Sequence, residues 1–72
     1  MHYMVHEIER QLDTRDKRWM FLKLNFPDDL PLIDLEGSPR EVAARIVKRF
    51  IDNDSICDFE SVFFKSFPTH SF

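Results

Sequence analysis

Apolar positions recur along this chain with the spacing of helices, and the sharpest such run follows its single glycine. Val42, Ala43, Ile46, Val47, Phe50 and Ile51 stand at i, i+1, i+4, i+5, i+8 and i+9 and form one broad apolar face. Arg40, Arg45, Lys48 and Arg49 occupy the opposite side. The start of this helix is marked three times. Ser38 is a good N-cap, because its hydroxyl can accept a bond from an orphan backbone N–H. Pro39 takes the first helical position, where a missing N–H costs nothing. Glu41, three residues after Ser38, completes a capping box. Gly37 allows a sharp turn just before, and the run ends near Asp52-Asn53-Asp54.

The remaining apolar runs supply the surface this helix needs. Met4, Val5, Ile8 and Leu12 share a face and predict a first helix over residues 2–12. His2 and His6 lie four apart on it, a spacing that can bind a metal, but no third ligand is placed nearby and surface histidines need no such role. Asp13 or Thr14 caps a second helix from about Arg15 to Asn25. Trp19, Leu22 and Phe26 make one stripe on it and Met20 and Leu24 another, so it is expected to be central and buried, with Trp19 in the core. Pro27 stops it. The connector 27–37 carries Leu30, Leu32, Ile33 and Leu35 at mixed spacing, which leaves a helical turn and an extended segment equally open. Its carboxylates lack the alternate ligand positions and central glycine of a calcium loop. Asp54 or Ser55 caps a last helix, on which Ile56, Phe59, Phe63 and Phe67 form a stripe with Val62 beside it and Phe64 off it. Pro68 stops that helix. The predicted fold is therefore all-α, a compact bundle of four to five short helices. Its expected core is Ile8, Leu12, Trp19, Leu22, Phe26, Leu35, Val42, Ile46, Val47, Phe50, Phe59 and Phe63.

Composition narrows the function. With 72 residues the chain makes one domain, and so small a domain buries only about 60% of its unfolded surface. Eight phenylalanines point to a core of few large side chains, or to one apolar patch kept for a partner. A net charge of −3 argues against nucleic acid and against an anionic membrane as partners. No apolar run approaches the eighteen or so residues of a transmembrane helix, and the N-terminus lacks the pattern of a signal peptide. The single Cys57 excludes an internal disulfide and fits a reducing compartment. The expectation is a cytoplasmic protein, or a domain cut from one, with one helical interaction domain over residues 1–67 and the start of a linker or tail at 68–72.

Candidate chemistry is sparse. One glycine cannot make a phosphate loop, one cysteine cannot make a zinc site, and no nucleophile motif gathers Ser, His and Asp. Cys57 beside Asp58 has no basic neighbour to activate its thiol. No catalytic residue, cofactor or metal is expected. What stands out is the grouping of charge. Basic residues cluster at Arg10, Arg15, Lys17, Arg18 and Lys23, and again at Arg40, Arg45, Lys48 and Arg49. Acidic residues cluster at Asp28, Asp29, Asp34 and Glu36, and again at Asp52, Asp54, Asp58 and Glu60. A solvated helical surface shows such mixing without further role. As opposite-sign patches, the basic face Arg40, Arg45, Lys48 and Arg49 of one copy can meet the acidic connector Asp28, Asp29, Asp34 and Glu36 of another, head to tail.

Two stretches together resemble a family. One is the apolar second helix, Trp19-Met20-Phe21-Leu22-Lys23-Leu24-Asn25-Phe26, running through Pro27-Asp28-Asp29-Leu30 to Ile33-Asp34-Leu35-Glu36-Gly37. The other is the capped helix Pro39-Arg40-Glu41-Val42-Ala43-Ala44-Arg45-Ile46-Val47, followed by an aromatic one over Phe59 to Phe67. Over residues 13 to 67 the chain resembles the effector-associated domains of prokaryotic conflict systems, small members of the death-like superfamily. The resemblance implies a non-catalytic adaptor that pairs with a similar domain and so recruits or activates an effector such as a protease, nuclease or ATPase switch. The alternative is a small nucleic-acid-binding regulator in which the second and third helices form a helix-turn-helix. The acidic connector, longer than the usual three or four residues, and the net charge stand against it.

Overall fold

The computed structural model describes residues 2–68. They form four α-helices, α1 (Tyr3–Gln11), α2 (Arg15–Asn25), α3 (Pro39–Asp52) and α4 (Ile56–Ser66), with a 3-10 turn at Leu30–Leu32 and no strand among the described residues. The all-α class and the helix bounds agree with the apolar spacing. Of the expected tail at 68–72, residues 69–72 lie outside the described residues.

Local chemistry accounts for the ends of the helices. At the head of α3 the Glu41 N–H donates to Ser38 Oγ at 3.2 Å and the Ser38 N–H donates to Glu41 Oε1 at 3.0 Å, a complete capping box. Gly37 precedes it at φ 119°, a conformation that L side chains rarely adopt. The far end of α3 closes as a Schellman motif. The Ser55 N–H donates to Phe50 O at 2.8 Å and the Asp54 N–H to Ile51 O at 2.9 Å, while Asp54 takes the left-handed position at φ 57°. Thr14 Oγ1 accepts the Lys17 N–H at 3.2 Å and caps α2. Ser55 stands at the cap position of α4 without a side-chain capping bond; its hydroxyl points back to Phe50 O at 3.5 Å.

α3 packs along α1 and against α4. Its buried face, Val42, Ala43, Ile46, Val47 and Phe50, meets Met4, Val5, Ile8 and Leu12 on one side. On the other side lies a cluster of rings: Phe50 has its centroid 4.9 Å from Phe26 and 4.7 Å from Phe59. Phe21 stands edge-on to Phe59 and Phe63 at 5.8 and 5.7 Å, the orientation that suits the ring quadrupoles. The Cα radius of gyration, 11.2 Å, is what the size scaling gives for a compact chain of this length, about 11 Å.

The core differs from the expected one at α2. This helix turns only Arg18, Phe21 and Leu22 inward. Trp19, expected in the core, is 40% exposed, and Phe21 is buried in its stead. α2 lies at the edge of the bundle, so one arc of it is covered and the rest faces solvent. Phe26 is only half-buried. The connector resolves its ambiguity by using both conformations. A 3-10 turn over Leu30–Leu32 leads into an extended Ile33, and Ile33 and Leu35 are buried.

Candidate functional site

The two charge patches read from the sequence lie side by side in one molecule. Arg49 Nε donates to Asp29 Oδ1 at 3.0 Å. Arg45 Nη1 donates to Asp34 O at 3.2 Å and also to Glu36 O. The Glu36 carboxylate itself pairs with Arg15 at 3.4 Å. The structure thus brings Arg45, Arg49, Asp29, Asp34 and Glu36 together, and these contacts fasten the connector over α3. The other expected site residues stand apart. Arg40 pairs with Glu9 of α1 at 3.6 Å, and Lys48 with Asp52 within α3 at 3.0 Å. Asp28 is exposed and has no ion-pair partner among the described residues. Arg45 and Arg49 are half-buried, not part of a free basic face. The physical reason is the need to bury Ile33 and Leu35, which draws the connector back beside α3 and brings the Asp29 carboxylate and the Asp34 and Glu36 carbonyls onto the guanidinium groups. Two dense clusters of opposite sign within so short a chain were the signal for this internal pairing.

Arg18, grouped by sequence with the surface cations, is 3% exposed. Its Nε donates to Leu12 O at 2.9 Å and Nη2 to Asp13 O at 3.3 Å. Leu12 is the C-cap of α1, so the guanidinium satisfies carbonyls left open by that helix end, where a cation is favoured.

The outer side of α2 exposes three large apolar side chains. Met20 is 54% exposed and Leu24 72%, with Trp19 beside them. Met20 and Leu24 line a shallow, mostly apolar groove of about 560 Å³ together with Gln11, Phe21 and Phe67. Lys23 Nζ lies 5.4 Å from the Trp19 ring, a cation over an aromatic face. Spacing alone predicts a central, buried α2 with Trp19 in the core, because it cannot tell a helix covered all round from one with apolar residues facing outward.

His2 Nδ1 accepts the Met4 N–H at 3.1 Å and caps α1, with Nε2 3.8 Å from Glu60. Among the described residues no three His, Cys, Asp or Glu side chains gather as a metal site. The backbone N–H of Ser38 holds the Glu41 carboxyl below the usual glutamate range, and Lys17, 2.9 Å away, does the same for Asp13. No helix among the described residues is long and apolar enough to cross a membrane. Compared with known proteins, the chain matches no family model, and no curated protein or solved structure shows significant similarity to it.

Proposed function

We propose that this chain is a non-catalytic interaction module that associates with a like domain. The observation that supports this best is the outer face of α2. A 72-residue domain has little apolar surface to spare, yet Trp19, Met20 and Leu24 of one helix stand 40%, 54% and 72% exposed. Large apolar residues grouped on a surface favour a protein partner. The resemblance to effector-associated domains points the same way. In that reading the module is a cytoplasmic adaptor of a prokaryotic conflict system and recruits an effector through a death-like partner. Nucleic acid is the weaker reading, since Arg40, Arg45, Lys48 and Arg49 are each engaged by carboxylates or carbonyls of their own chain.

Sedimentation equilibrium from micromolar to millimolar protein tests the proposal. The mean mass is expected to climb from 8.7 kDa towards twice that value. A single monomeric species throughout, with no binding to similar domains encoded nearby, overturns it.

A further inference from the structure

We infer that two copies of this chain pair through α2, packed antiparallel about a two-fold axis near Met20, with Asp16 of each copy facing Lys23 of the other. The inference rests on the like-with-like reading and deepens it by naming the surface. Asp16 and Lys23 are seven residues apart, close to two helical turns, so they share one line on the exposed side of α2, about 10 Å apart along its axis. Met20 lies between them, Trp19 flanks the line on one side and Leu24 on the other. Among the described residues neither Asp16 nor Lys23 has an ion-pair partner within 4.0 Å, whereas Arg40, Lys48, Arg49 and Asp52 of α3 each have one.

The face thus carries Asp16 at its head, where the neighbouring Lys17 is already paired with Asp13 at 2.9 Å, apolar side chains in the middle and Lys23 at its foot. Antiparallel packing reverses this order in the second copy, so head meets foot at both ends and Met20 meets Met20. A two-fold interface asks for this self-complementarity. Antiparallel helices also place their opposite dipole ends together. With only 11 residues in α2 the contact is small, so the dimer is expected to be weak and salt-sensitive.

The test compares D16K, K23E and the swap D16K/K23E by sedimentation equilibrium at low salt, with circular dichroism confirming the fold. Each single variant places like charges opposite each other twice and is expected to associate roughly tenfold more weakly than the parent. Mixing the two single variants should restore pairing, and the swap should pair with itself. If the parent associates and both single variants match it, the α2 surface is wrong while like-with-like association stands. A parent that stays monomeric overturns the α2 dimer, and the like-with-like reading falls with it only if similar domains encoded nearby also fail to bind. Should D16K fail to fold, K23E alone decides: unchanged association overturns the inference.

Discussion

Arg49 of α3 reaches the connector at Asp29, where Nε and Nη2 both stand 3.0 Å from the same carboxylate oxygen, Oδ1. The two residues are twenty positions apart, and their side chains are 31% and 18% exposed. The pair is sheltered enough to matter and wet enough to be screened. It joins the element that starts most clearly from local signals to the one whose conformation local signals leave open.

Arg49→Ala is expected to cost about 1–2 kcal/mol, since it leaves Asp29 mostly covered and unpaired. In a double-mutant cycle with Asp29→Ala, urea melts should give a coupling of about 1 kcal/mol that shrinks with salt. A coupling of zero at low salt would show that the connector is held by Ile33 and Leu35 alone. Arg49→Glu should cost more, so charge reversal there disturbs the fold as well as the surface.

Arg18→Met keeps much of the apolar stem but removes the donors to Leu12 O and Asp13 O. The expected loss is about 2–3 kcal/mol, the range for removing a charged donor from buried acceptors. Thermal melts check this. A loss below that of a typical surface substitution would mean that water replaces the guanidinium.

Phe50, 1% exposed, and Phe21, 5% exposed, should each cost about 3–5 kcal/mol when cut to Ala. The whole domain is expected to hold only roughly 4–11 kcal/mol, so either change is a large fraction of its stability. Trp19→Ala should cost under about 1 kcal/mol, because its ring is not in the core. Equal losses at Trp19 and Phe21 would contradict the observed orientation of α2.

The capping box gives an acid dependence. The Glu41 carboxyl titrates below its usual range because the Ser38 N–H bonds the ionised form. A carboxylate with a lowered folded value contributes stability that is present above the unfolded value, about 4.3, and lost as pH falls through the folded one. Glu41→Gln keeps an acceptor but cannot titrate, so its melting temperature should fall less than the parent's between neutral pH and pH about 3. Parallel acid profiles for the two proteins would show that Glu41 carries none of this dependence.

Helix bounds were readable along the chain because caps, prolines and apolar period act between residues within about four positions of each other. Ser38, Pro39 and Glu41 define the start of α3 wherever that helix lies, and Val42, Ile46 and Phe50 must face a partner in any fold. The choice between Trp19 and Phe21 is of another kind. Both are aromatic and both sit on α2, and which one is buried depends on where the rings of Phe59 and Phe63 stand, some forty residues later in the chain. The connector is the same case: Leu30, Leu32, Ile33 and Leu35 carry no period, and Ile33 and Leu35 go inward only because α3 offers a surface with Arg45 and Arg49 at its rim. Hydrophobic burial has no direction along the chain, and ion pairs form between whatever charges the packing brings within reach. Tertiary structure alone therefore decided that Arg49 meets Asp29 and Arg45 the connector carbonyls, and that the apolar face of α2 remains open.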